Sequence, residues 1–197
     1  MPHILLAKPI HPAATERLLS EPGYTVELLD YADRAEFLAR LAEADAVVLS
    51  FTAFDRAAVD AAPRLRIVAR HGVGYDSVDV AALDARGITL ALAGSANAVS
   101  VAEHTLALLL ALARRLVRVD ADVRAGRWQA SVKPHLVELY GKRALVIGGG
   151  RIGRRVARLF AAFEMQVEVF DPYLPADTVW PEGVRRVDDR ARALAAA

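Results

Sequence analysis

Gly148-Gly149-Gly150-Arg151-Ile152-Gly153 decides the reading of this chain, because of what flanks it. Ala144-Leu145-Val146-Ile147 enters it as a short apolar strand, and Arg154 to Phe163 leaves it with helical periodicity. A second apolar strand, Val167 to Phe170, then runs into Asp171. Strand, Gly-x-Gly-x-x-Gly, helix, strand and acid, in that order, form the dinucleotide-binding fingerprint. Gly148 permits a tight turn, Gly150 lets the backbone approach a diphosphate, and Gly153 allows close helix–strand packing. Free N–H groups near Arg151 and Ile152 carry the positive end of the helix dipole, which suits a diphosphate. Asp171 stands where a carboxylate can accept from adenosine ribose hydroxyls and repel a 2′-phosphate, so NAD is expected rather than NADP.

The bulk composition narrows the class. The 197 residues fit one large domain or two small ones, and 54% hydrophobic with 25% charged residues supports a buried core. A formal net charge of +1 argues against a nucleic-acid surface, which needs a concentrated basic excess. The absence of cysteine excludes disulfides, thiolate catalysis and cysteine metal sites, and no metal site is read elsewhere. His3 to Ala7 is too short and is followed by Lys8 and Pro9, unlike a signal peptide. Thr105 to Ala113, the most apolar stretch, is about half a membrane span. A soluble, cytoplasmic protein with no membrane partner is expected.

Residues 1–98 alternate between strand and helix patterns. Strands are predicted at Ile4–Ala7, Thr25–Leu29, Ala46–Ser50, Leu65–Arg70 and Ile88–Leu92. Helices are predicted near Ala13–Leu19, Arg34–Ala42, Arg56–Ala61 and Val80–Ala85. The alternation implies parallel strands with right-handed crossovers, hence a small α/β domain. Ser100-Val101-Ala102-Glu103 reads as a capping box opening a long helix to about Val119, with an apolar stripe through Leu106, Leu109, Leu110 and Ala113. Residues 99–197 would then hold this linking helix and the first part of a nucleotide domain. Only two strands and a final helical stretch, Asp188 to Ala197, are read there, against about six strands in a doubly wound fold. The expectation is an incomplete domain: a fragment, or one completed by something outside this sequence.

Beyond the glycine loop, Arg70-His71-Gly72-Val73-Gly74-Tyr75-Asp76 is followed by Val78-Asp79 and Arg86-Gly87-Ile88. Asn97 to His104, Gly126-Arg127-Trp128, Glu138 to Lys142, Gly150 to Ala157 and Asp171-Pro172-Tyr173 come in order after them. Together these segments resemble the D-isomer-specific 2-hydroxyacid dehydrogenases over nearly the whole length. The resemblance implies a flavodoxin-like substrate-binding domain at 1–98, then an incomplete Rossmann NAD-binding domain at 99–197. It implies hydride transfer between NAD(H) and a small 2-oxo or 2-hydroxy acid. Gly148, Gly150, Arg151, Ile152, Gly153, Asp171 and Pro172 would hold the cofactor, with Val73 near the nicotinamide. Backbone amides of Gly72, Val73 and Gly74 would hold the substrate carboxylate, and the helix starting at Ser100 would form a homodimer.

In that family an arginine, a glutamate and a histidine do the carbonyl and proton chemistry, and none of them matches a position here. Of the histidines, His3, His11 and His135 read as surface, and His104 as packing in the first turn of the helix. His71 reads as a part-buried hydrogen-bonder or a substrate contact. No catalytic residue is assigned, and the chain is expected to be inactive alone. Two departures matter. In the loop Leu49-Ser50-Phe51-Thr52-Ala53-Phe54 a phenylalanine stands where many relatives place an arginine, which points away from a phosphorylated substrate, and Glu164 stands where glycine is common. A non-catalytic NAD-sensing or dimerisation module, and a functionless remnant, are the competing readings.

Overall fold

The computed structural model describes residues 1–29, 33–129, 136–175 and 177–197. Met1–Ala96 and Asn97–Ala197 each form a compact unit.

The first unit holds β1 (His3–Leu6), α1 (Pro12–Ser20), β2 (Thr25–Leu28), α2 (Arg34–Leu41) and β3 (Ala46–Leu49). It continues with α3 (Arg56–Asp60), β4 (Ile67–Arg70), α4 (Val80–Ala85) and β5 (Thr89–Leu92). Its strands run parallel in the order β2-β1-β3-β4-β5, the flavodoxin-like arrangement. Aspartates start the helices: Asp33, Asp55 and Asp79 each accept the backbone N–H three residues on. That is why α2, α3 and α4 begin where they do. Leu5, Val47 and Val68 from the sheet meet Leu41, Val59 and Leu83 from these helices, all of them fully buried. Burying each such side chain contributes about 1.5–3 kcal/mol relative to leaving it exposed. Phe37 and Phe54 meet edge to face at 6.3 Å within this core.

The second unit opens with α5 (Ala98–Ala113) and α6 (Leu116–Arg124). The capping box expected at Ser100 to Glu103 does not open this helix. The helix starts at Ala98, two residues before Ser100, and its N-cap Asn97 makes no side-chain bond. Nor does the helix run unbroken to Val119: Arg115 takes a left-handed conformation, φ 49°, and separates α5 from α6. Leu106, Leu109 and Leu110 pack against the unit's own core, so the stripe read from sequence is internal. A different row, with Leu108, Leu112 and Leu116, faces outward. Buried Asp122 accepts from Arg127 through Nε and Nη2 at 3.0 and 2.8 Å, tying the turn after α6 back to the helix.

β6 (Arg143–Ile147), α7 (Arg151–Ala162) and β7 (Gln166–Phe170) follow, then β8 (Val184–Arg186) and α8 (Arg190–Ala196). The sheet is parallel in the order β6-β7-β8, so it has three strands where the apolar patterning predicts two. β8 lacks a strand signal of its own because it reads Val-Arg-Arg, with one apolar residue and no alternation. Arg185 pairs with Glu168 on neighbouring β7. Val156, Ala157 and Phe160 from α7 close over Val146, Val167 and Val169.

α7 ends on a two-bond C-terminal motif: Glu164 N–H donates to Ala161 O at 2.8 Å and Met165 N–H to Phe160 O at 3.2 Å. The motif places Glu164 at φ 56°, a region that costs a side chain strain and glycine none. Glu164→Gly is therefore expected to raise stability by about 1 kcal/mol. Urea unfolding followed by circular dichroism measures this, and an unchanged or lower midpoint would show that the turn carries no strain.

Candidate functional site

The glycine loop leaves β6 at its carboxyl end. Gly148 donates to Phe170 O at 2.8 Å, the last rung between β6 and β7, and turns the chain at φ 96°. Gly150 is the N-cap of α7 and accepts from Arg154 N–H at 3.0 Å. Among the described residues no acceptor reaches the N–H groups of Gly150, Arg151, Ile152 and Gly153. These are the unsatisfied donors at the positive end of a helix, and they suit an anion.

Each glycine has a different reason to lack a side chain. A Cβ at Gly153 would lie 1.8 Å from Gly148 O and 3.3 Å from Val146 Cγ1, so α7 can approach β6 only without one. A Cβ at Gly150 would meet nothing within 4 Å, and its φ of −72° is open to any residue. The fold therefore does not demand glycine at 150, which leaves open space beside the helix terminus. Gly149 is buried between the two, against Leu174 and Trp180.

Asp171 sits at the end of β7, half-buried. Its Oδ1 accepts from Tyr173 N–H at 2.9 Å and its Oδ2 from Gly149 N–H at 2.8 Å. The carboxylate thus holds the glycine loop, and each oxygen retains a lone pair for a further donor. The Tyr173 N–H first, and the Gly149 N–H second, hold its carboxyl below the ordinary aspartate value of 3.8. Because the folded value is depressed, the stability these bonds contribute is complete above 3.8. It is lost as pH falls through the lower folded value. Pro172 and Tyr173 beyond it are exposed.

In the first unit, the loop after β4 carries Gly72, Val73 and Gly74. Gly72 has φ 153°, and a Cβ there would lie 2.2 Å from Arg70 Nη1. Its carbonyl accepts from Ala93 N–H at 3.0 Å, which ties the loop to the end of β5. Among the described residues the N–H groups of Val73 and Gly74 find no acceptor. Arg70 is buried, its Nη1 donates to His71 O, and its guanidinium stacks 5.1 Å from the ring of Phe51. Phe51 itself is 82% exposed, so this loop presents an apolar ring beside the Arg70 guanidinium.

The histidines divide differently from the sequence-based expectation. His3 is part-buried and pairs with Glu27 at 3.2 Å rather than lying free on the surface. His11 caps α1 by accepting from Ala13 N–H. His71 is exposed rather than part-buried, and His104 is exposed in the second turn of α5 rather than packed in its first. His135 lies outside the described residues. Leu174 and Trp180, which pack against Gly149, carry no motif that sequence reasoning could have used, and Arg154, inside the segment Gly150 to Ala157, was not assigned a contact with Gly149.

The chain matches the family model of the D-isomer specific 2-hydroxyacid dehydrogenase catalytic domain over residues 4–184, and it belongs to that family. It is 37% identical over 190 residues to D-3-phosphoglycerate dehydrogenase of Methanocaldococcus jannaschii, covering 96% of this chain and 36% of the relative. A solved Thermus thermophilus protein superposes with a TM-score of 0.82 at 33% identity, covering 91% of this chain and 58% of that one. An NAD-dependent formate dehydrogenase of Staphylococcus aureus, solved in complex with NAD, gives 0.81 at 25% identity, with 95% and 60% covered. The chain thus spans about a third of the phosphoglycerate dehydrogenase and about six-tenths of the solved chains.

Two substitutions separate packing from binding. Gly153→Ala is expected to unfold the second unit or cost it several kcal/mol, as overpacking against backbone does. Gly150→Ala is expected to leave the melting transition in place. Thermal unfolding of both variants checks this, and equal effects would contradict the geometry. A carbon-detected NMR titration of Asp171 should find its midpoint below 3.8, and a midpoint at or above that value would mean its two backbone bonds are not made in solution.

Proposed function

We propose that this chain is the N-terminal part of an NAD-dependent D-2-hydroxyacid dehydrogenase. Residues 1–96 bind the substrate, and residues 97–197 form the first part of the nucleotide domain. The reading rests above all on one observation: an exposed glycine N-cap with open space in front of it, beside a carboxylate at the end of the next strand. Gly150, Arg151 and Ile152 present N–H groups to the cofactor diphosphate, with Gly148 and Gly153 fixing the turn that aims them. Asp171, with Pro172, receives the adenosine ribose hydroxyls and repels a 2′-phosphate, which selects NAD over NADP.

NAD(H), when bound, supplies or receives a hydride. This chain's own residues bind and orient. The amides of Val73 and Gly74, with Gly72 supplying the turn, hold the carboxylate of a small 2-oxo or 2-hydroxy acid. Phe51 over Arg70 gives that loop cluster an apolar wall and favours an unphosphorylated substrate. No proton transfer is assigned to residues 1–197, which are expected to bind ligands without turning over by themselves. The protein is read as cytoplasmic, and among the described residues no helix is long and apolar enough to cross a membrane. A homodimer is read through α5, using the outward row of Leu108 and Leu112, which are 52% and 77% exposed.

Asp171→Ala is expected to weaken NADH binding about tenfold and to narrow the preference for NADH over NADPH. Fluorescence titration with both nucleotides measures the two effects. Unchanged NADH affinity, or an unchanged NADH-to-NADPH ratio, would remove Asp171 from the ribose site.

A further inference from the structure

Gly149 is gripped at its N–H, its carbonyl and its Cα by groups that lie outside the glycine loop. Its N–H donates to Asp171 Oδ2 at 2.8 Å, and its carbonyl accepts from Arg154 Nε at 3.1 Å. Its Cα faces two side chains from the segment after β7. A Cβ at this position would lie 2.6 Å from Leu174 Cδ1 and 2.7 Å from Trp180 Cη2. Gly149 does not have a positive φ, so its backbone would accept a side chain. Leu174 and Trp180 are what such a side chain would meet first. They fill, from another part of the chain, the space that a side chain at 149 would occupy.

The same two residues are themselves anchored. The guanidinium of Arg154 lies 5.1 Å from the Trp180 ring, so one arginine holds both the Gly149 carbonyl and the indole. Arg186 Nη1 donates to the carbonyls of Leu174 and Pro175 at 3.0 and 2.9 Å. Trp180 also packs against the unit's apolar core. Gly149 immediately precedes Gly150, whose N–H is the first of the free donors at the start of α7. The Gly149 carbonyl and the Gly150 N–H belong to one planar peptide, so the bond from Arg154 that holds the carbonyl also orients that N–H.

We infer that Trp180, braced by Arg154, is a positioning residue for the diphosphate: it acts through Gly149 to hold the donors of the loop in place. The inference rests on the NAD reading above. It does not place Trp180 in contact with the ligand, and so it separates loop geometry from direct binding.

The full 197-residue chain can test it, with NADH as the titrant and ADP-ribose and adenosine as competitors. Trp180→Ala should weaken NADH and ADP-ribose about tenfold and adenosine less than about twofold, because only the first two carry the diphosphate. Trp180→Phe, which keeps a ring over Gly149, should stay within about threefold of the parent for all three. Gly149→Leu alone should also weaken ADP-ribose, by forcing its side chain against Trp180. The double variant, Gly149→Leu with Trp180→Ala, should recover most of the loss, since leucine then refills the space from the other side.

Equal weakening of ADP-ribose and adenosine would overturn the inference and leave Trp180 a packing residue only. So would a double variant no better than its singles. A parent chain that binds neither NADH nor ADP-ribose would instead sink the cofactor reading, and the positioning role with it.

Discussion

Helix α7 begins so close to strand β6 that a Cβ at Gly153 would sit 1.8 Å from the Gly148 carbonyl oxygen. The rest of the second unit depends on that approach. It brings Val156, Ala157 and Phe160 down onto Val146, Val167 and Val169, and so closes the core. It also points the first turn of α7, with its unpaired N–H groups, past the carboxyl ends of the strands. In open α/β sheets that is where ligands bind. Packing and binding are thus served by one turn, yet by different residues within it. Gly153 is constrained by the protein itself, whereas Gly150 faces open space.

Asp171 links the two neighbouring strands of that site. Its carboxylate receives the Gly149 and Tyr173 amides, so the group proposed to meet the ribose also sets where the glycine loop lies. Such sharing makes the site cooperative: a change at the end of β7 reaches the donors at the start of α7 without touching them. Hydrogen-bonded carboxylates of this kind fix geometry more than they add net stability. The first unit uses a simpler device. Its five parallel strands end in loops, and the one after β4 turns on a positive-φ glycine and leaves two amides without an acceptor among the described residues.

Much of this was legible in the sequence, and the limits of legibility have physical causes. Short runs of Val, Ile and Leu alternating with helix-like segments located the strands and helices of the first unit to within two residues. The glycine fingerprint was legible because its residues are adjacent in sequence, although they answer to different demands: a turn at Gly148, close packing at Gly153 and open space at Gly150. The start of α5 was not, since Ser100 and Glu103 satisfy a capping pattern while the chain begins its helix at Ala98 without any side-chain cap. The break at Arg115 carries no glycine or proline to announce it. β8 owes its strand conformation to pairing with β7 and not to its own composition. Leu174 and Trp180 reach Gly149 only through tertiary folding, and no spacing rule could have joined them.

Whether the start of α7 and the end of β7 form a nucleotide site is decided by an amide NMR titration of this chain with NADH. The largest shift changes are expected on Gly149, Gly150, Arg151, Ile152 and Gly153, with smaller ones at Asp171 and Tyr173. Saturable shifts confined to other residues, or none at all, would contradict it.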